Sequence, residues 1–381
     1  MSVESFDILV IGAGIAGASV AAELATTHRV ALLEREEQPG YHSTGRSAAL
    51  FSTSYGNATV RALSRASQDF FHAPPQGFAA APLVRARGTL HVAADEQLSR
   101  FEAFANSPDF AASAVRRIDP AEARRLCPVL RPERVRAALF EDDAADVDVH
   151  GLHQGYLKRF RRAGGTLVTQ AEVLSLDRTG GRWAAVTRAG VFAAATIVNA
   201  AGAWADSVAA LAGARTLSIQ PCRRTVVLAE LPSGIAAENW PMVIDIDESF
   251  YMKPDAGLLL VSPADETASP PCDAQAEEYD VAVAIDRAEQ ATTLSLNRIR
   301  KRWAGLRSFA PDRSPVVGFD PVREGFFWLA AQGGYGIQTA PAMARLAAGI
   351  LRGDTLAAAV VPLVADLSPQ RFIAQTVRSA P

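Results

Sequence analysis

Apolar runs and helix-period segments alternate at the start, middle and end of this chain, and period-two segments fill the gaps between them. Residues 6–11 (Phe6, Asp7, Ile8, Leu9, Val10, Ile11) read as a buried strand, 15–24 as a helix and 30–33 as a second apolar strand. Residues 57–71 have a helical pattern that stops at Pro74 and Pro75. A strand over 88–93, helical 95–106, a short helix over 121–126 closed by Pro128, and a strand over 137–140 follow. A helix over 149–163 ends at Gly164 and Gly165. Strand patterns then run to Asp177, over 183–186 and over 191–195, and a buried strand over 196–201 leads into helical 203–212. The stretch 218–270 alternates apolar and polar residues over 224–228, 242–246, 250–253 and 258–262, the period of antiparallel sheet. After helical 279–294 come a buried strand over 326–331, a glycine-rich loop over 332–336 and a helix over 339–351.

This order predicts an α/β protein. A discontinuous Rossmann-like domain takes in 1–81, 143–217 and 303–381, and an inserted α+β domain with antiparallel sheet takes in 82–142 and 218–302.

The chemistry begins in the first βα turn. Gly12, Gly14 and Gly17 stand in the spacing G-x-G-x-x-G between a strand and a helix. The first allows a tight turn, the second a close approach of backbone to a pyrophosphate, and the third close packing of helix on strand. The N-terminus of the helix, at Ile15 and Ala16, presents free N–H groups and a positive dipole end to phosphate. Glu34 closes the second strand 17 residues after Gly17, where a carboxylate accepts hydrogen bonds from ribose hydroxyls and disfavours a 2′-phosphate. Near the other end of the chain, Gly333, Gly334 and Gly336 let backbone lie against a flat ring. The helix that follows aims its positive end at whatever sits there, which would stabilise negative charge gained by that ring.

Bulk properties narrow the class. The 381 residues exceed one average domain, and 49% hydrophobic residues supply a large core. A net charge of −3 leaves no electrostatic footprint for nucleic acid or an anionic membrane. The three cysteines, Cys127, Cys222 and Cys272, form no CxxC and read as reduced thiols. With no signal-peptide pattern and no apolar stretch of bilayer length, a cytoplasmic location is expected. Asp142, Asp143, Asp146, Asp148, His150 and His153 cluster in sequence, and a solvated acidic loop entering a helix is expected there rather than a metal site.

Several strings carry a resemblance. Glu34-Arg35, Ser43-Thr44-Gly45-Arg46-Ser47, Val198 to Trp204, Gly333-Gly334-Tyr335-Gly336 and the stretches 41–49, 153–157, 248–251, 303–309 and 330–339 resemble the D-amino acid oxidase superfamily of FAD enzymes, most of all its D-arginine dehydrogenase group. The resemblance implies a glutathione-reductase-type FAD-binding domain. It also implies cofactor contacts from Gly12, Gly14, Ile15, Ala16, Gly17, Glu34, Arg35, Thr44, Arg46, Ser47, Ala48 and Val173, from Ala201, Gly202 and Trp204, and from Gly333, Tyr335, Gly336, Ile337 and Gln338. Arg224, Tyr251 and Arg307 match residues that hold the substrate carboxylate, Tyr55 a residue on a mobile loop over the site, and Gly334 one whose carbonyl accepts from the substrate amine. A guanidinium fork suits a carboxylate, and burying two arginines is costly unless an anion joins them.

Departures from that pattern modify the expectation. The group's glutamate that pairs with the substrate guanidinium is replaced by Thr89, and its active-site histidine by Leu50. Losing the partner of a buried guanidinium costs roughly 3–5 kcal/mol, so D-arginine is disfavoured and a neutral side chain is expected. Relatives tether FAD through a histidine near 46–47 or a late cysteine; Arg46, Ser47 and a chain without cysteine after Cys272 predict noncovalent FAD. The resulting expectation is oxidative deamination of a neutral D-amino acid by hydride transfer from Cα to flavin N5. The alternative is oxidation of glycine, sarcosine, iminodiacetate or another secondary amine, or of a 2-hydroxy acid. The electron acceptor, a quinone, a carrier protein or O2, stays open. Oxidases of the superfamily often place a lysine over the flavin, and only Lys158, Lys253 and Lys301 are available.

Overall fold

Ile8–Ile11, the core of the first apolar run, is buried on both faces because this strand lies in the middle of a sheet. In the computed structural model, which describes residues 3–107 and 114–372, six strands line up in the order Thr166–Val168, Val30–Leu33, Ile8–Ile11, Thr196–Asn199, Phe326–Ala330, Val316–Phe319. The first five are parallel and the last is antiparallel. Ile8 and Val10 face one core, shared with the helices Ile15–Leu24, Val149–Arg162 and Gly336–Arg352. Leu9 and Ile11 face another, which includes Trp183 and Phe192 of a four-stranded sheet packed on that side. A strand covered on both faces reads as a continuous apolar run, which is why this sheet was legible from sequence.

Helix limits follow local chemistry. Asn57 caps the helix Ala58–His72, accepting from Val60 N–H at 3.0 Å, and Asp148 caps Val149–Arg162, accepting from Gly151 N–H at 2.8 Å.

The second sheet departs from the expected antiparallel pattern in one place. Its strands include Gln220–Ala229, Leu258–Ser262, Tyr251–Asp255, Met242–Asp245, Thr89–Ala93, Ala137–Glu141 and Val115–Ile118. Met242–Asp245 pairs in parallel with Thr89–Ala93, so the sheet is mixed. The alternation of residues reports one wet and one dry face and says nothing of strand direction. An unexpected strand, Ile299–Phe309, pairs along Gln220–Ala229 and crosses the expected boundary at 302/303. Its exposed Arg300, Lys301 and Arg302 masked the pattern.

The acidic segment is also more ordered than a solvated loop. Ala145–Val147 is a strand pairing with Leu50–Phe51 and Val84–Ala86. Asp146 pairs with Lys253 Nζ at 2.7 Å and with Arg87. Among the described residues no helix is long and apolar enough to cross a membrane.

Candidate active site

The first βα turn and the last glycine loop open onto one cavity of about 420 Å³. At the turn, Gly12 has φ +98°, and a Cβ there would lie 2.5 Å from the Ala200 carbonyl oxygen. A Cβ on Gly17 would lie 1.8 Å from the Gly12 oxygen. Gly17 therefore serves helix packing and does not line the cavity, whereas Gly12, Gly14, Ile15 and Ala16 do.

Glu34 is buried against this turn. Its Oε2 accepts from Ala13 N–H at 2.9 Å and its Oε1 from Glu36 N–H at 3.0 Å. Burial pushes its pKa up, and those two backbone donors pull against the rise. Thr44 Oγ1 accepts from Ile15 N–H at 2.9 Å, tying the next turn to the helix N-terminus. Val173, Ala201, Gly202, Ser47 and Ala48 line the same space. So do Arg35 and Trp204, with the Arg35 guanidinium 4.6 Å from the indole centroid. His42, packed 4.7 Å from Trp204, also lines it.

Three expected cofactor residues are engaged elsewhere. Arg46 lines the cavity, but its guanidinium donates to the carbonyls of Ala274 at 2.7 Å and Ala304 at 3.0 Å and pairs with Asp273. Gln338 is buried away from it: its amide accepts from Ser52 N–H at 3.3 Å and donates to Ser64 Oγ at 2.9 Å. The last helix begins at Gly336, earlier than expected, so Ile337 lines the cavity and Gln338 points toward Ala58–His72. Tyr335 also stays off the lining, 5.1 Å from the Tyr55 ring.

The substrate end is built on two paired strands. Cys222 is opposite Arg307 and Arg224 opposite Gly305, so Arg224 and Arg307 share a face. Both line the cavity with Tyr251, Gly333 and Gly334. Arg307 Nη1 donates to Tyr55 Oη at 3.1 Å. A Cβ on Gly334 would fall 2.8 Å from Arg307 Cζ, so any larger residue there would have to displace this guanidinium. Gly333 N–H donates to Ser308 O at 2.8 Å, pinning loop to strand.

Three buried polar atoms on the lining have no partner: Tyr251 Oη, Arg224 Nε and Gln332 Nε2. A buried unsatisfied polar group costs about 1–3 kcal/mol, so such groups gathered in one cavity mark a ligand site. Arg224 is already half satisfied, because its Nη2 lies 3.1 Å from Glu266 Oε1; Arg313 holds the same carboxylate at 2.9 and 3.0 Å.

The two expected specificity residues are placed differently. Leu50 packs into an apolar cluster with Val226, Met242 and Tyr251, behind the lining. Thr89 is fully buried and donates to Glu141 Oε2 at 3.2 Å, so it is no pocket residue. Sequence reasoning missed Glu141. Its carboxylate, fully buried, also accepts from Ser52 Oγ and Ser54 Oγ at 2.7 Å each and from Thr53 N–H at 2.9 Å. A charged residue closing the apolar strand Ala137–Glu141 was the available signal. None of the three lysines lines the cavity.

The profile of the FAD dependent oxidoreductase (DAO) family matches residues 7–350. The chain belongs to the DAO family. The DAO fold is shared with iminodiacetate oxidase from Chelativorans sp. BNC1, at a TM-score of 0.78 and 25% identity over 95% of this chain and 98% of that one. Glycine oxidase of Geobacillus kaustophilus is 25% identical over 94% of this chain and 96% of its own length. Mitochondrial dimethylglycine dehydrogenase of Rattus norvegicus is 25% identical over 91% of this chain, which spans only 43% of that protein. Hydrogen cyanide synthase subunit HcnC of Pseudomonas aeruginosa is likewise spanned only in part, over 60% of its length. These relatives replace the narrower likeness to the D-arginine dehydrogenase group. As a DAO protein the chain belongs to a family of FAD-dependent oxidoreductases.

The residues present fit FAD. A buried carboxylate stands after the second strand, backbone without side chains faces the cavity at both glycine loops, and no cysteine among the described residues lines it.

Proposed function

We propose that the protein oxidises the CH–N bond of a small amine carboxylate of the glycine or N-substituted glycine type. The observation that carries this reading is the half-buried Arg307, which among the described residues has no carboxylate partner and sits beside Gly334, Tyr55 and the unpartnered Tyr251 hydroxyl. The relatives named for glycine, dimethylglycine and iminodiacetate support the same substrate class.

Arg307 binds the substrate carboxylate through its fork, and the Tyr55 and Tyr251 hydroxyls add neutral donors. The Gly334 carbonyl accepts from the amine. With both ends held, the Cα–H bond is fixed in direction, and most of the rate comes from that positioning. Bound FAD supplies the hydride acceptor. The substrate loses a hydride from Cα and a proton from nitrogen, and the resulting imine takes up water to give a 2-oxo acid and ammonia or an amine. The N-terminus of Gly336–Arg352 points its positive end at the cavity and offsets negative charge gained there.

A neutral D-amino acid is the second reading, favoured by the apolar Val226, which lines the cavity with Tyr251. Steady-state kcat/KM for glycine, sarcosine and D-alanine separates the two. Sarcosine or glycine ahead of D-alanine supports the first, and the reverse order supports the second. Because no lysine lines the cavity, a quinone or carrier protein is favoured over O2 as electron acceptor. Reoxidation of the reduced protein in air, slow against a quinone analogue, is the expected result.

A further inference from the structure

We propose that Glu266 leaves the substrate site with a single free guanidinium and thereby selects monocarboxylate amines over dicarboxylates. This rests on the carboxylate role given to Arg307 above. The lining carries two arginines on one strand face, Arg224 and Arg307, and a dicarboxylate such as iminodiacetate would need both. Only one is free. Arg224 is buried and already faces Glu266 Oε1 at 3.1 Å, and Arg313, at the surface, holds the same carboxylate from the other side at 2.9 Å. The remaining lining arginines are paired as well, Arg35 with Glu36 and Glu172, Arg46 with Asp273.

Bringing a second substrate carboxylate to Arg224 would set it against Glu266 in a partly dry site. Like charges at such range repel strongly where water is scarce. With Glu266 in place, Arg224 has its Nη2 engaged and its charge offset, while its Nε has no partner. Replacing Glu266 by a neutral isostere would release one buried guanidinium and make the site fit a dianion.

The test uses the FAD-loaded full chain and two unreactive ethers, methoxyacetate (one carboxylate) and diglycolate (two), titrated while flavin absorbance is followed. Wild type is expected to bind methoxyacetate tighter. Glu266→Gln is expected to move the affinity ratio toward diglycolate by about tenfold or more. Arg313→Gln removes a guanidinium from the same cluster without freeing Arg224, and is expected not to move the ratio toward diglycolate. A wild type that already prefers diglycolate overturns the proposal, with no need of a variant that folds. So does Glu266→Gln with an unchanged ratio while wild type binds methoxyacetate; the carboxylate role of Arg307 then survives. If neither ether perturbs the wild-type flavin, that role fails too.

Discussion

Arg307 owes its position to a residue without a side chain. The Gly334 Cα lies so close to the guanidinium that a methyl group would stand 2.8 Å from Cζ. Gly334→Ala must push Arg307 or the loop aside, at an overpacking cost of about 1–3 kcal/mol. The expected result is a fall in kcat/KM of roughly tenfold to a hundredfold with FAD still bound, measured by steady-state kinetics and the flavin spectrum. Arg307→Lys keeps the charge and loses the fork, so KM should rise at least about tenfold. Glu34 gives a pH prediction. Burial raises its pKa, while ribose hydroxyls donate more strongly to the ionised carboxylate than to the neutral acid. FAD affinity should therefore be highest above the raised value and weaken as pH falls through it, and Glu34→Gln should flatten that profile; fluorescence titration of the apoprotein measures both. In the cofactor-free protein the sign is reversed: the group's contribution to stability is present below its ordinary value and lost as pH rises through the raised one. Gly12, Gly17 and Glu34 were legible because each answers a backbone or charge requirement within one βα unit. Thr89 and Gln338 were not, because the residues that capture them, Glu141, Ser52 and Ser64, are distant in sequence.

At the scale of elements, the segment carrying Tyr55 is held by one buried carboxylate. Glu141 takes hydrogen bonds from Ser52, Thr53 and Ser54, immediately before the tyrosine that accepts from Arg307. Glu141→Ala strands these donors in a dry site and frees the segment; hydrogen bonds to a charged group are worth about 1.5–3 kcal/mol each before compensation. KM for the amine is expected to rise several-fold, with more hydrogen exchange in residues 52–55 than in the sheet. Helices with local caps, such as Ala58–His72 behind Asn57, were read nearly to the residue. Strand direction was not readable, as Met242–Asp245 shows, because pairing partners come from far along the chain. Ile299–Phe309 escaped because its exposed first half is charged.

For the whole molecule, the cavity takes lining from both sheets: Ile11 and Leu33 from the parallel one, Arg224, Tyr251 and Arg307 from the mixed one. FAD bound there would tie the two together, so the apoprotein should be the less stable form. At FAD a hundred times its dissociation constant the gain is about 2.7 kcal/mol, or about 3 °C in melting temperature, readable by thermal denaturation with and without the cofactor. The division into 1–81, 143–217 and 303–381 against 82–142 and 218–302 remains our proposal, with Ile299–Phe309 running through its last boundary.

The most direct measurement is anaerobic reduction of the protein-bound flavin, followed near 450 nm, with glycine, sarcosine, iminodiacetate, neutral D-amino acids, D-arginine and 2-hydroxy acids offered in turn. Rapid bleaching by glycine or sarcosine, slower bleaching by iminodiacetate, and little by D-arginine is the predicted result. Bleaching by 2-hydroxy acids alone, or by no amine carboxylate at all, would contradict it.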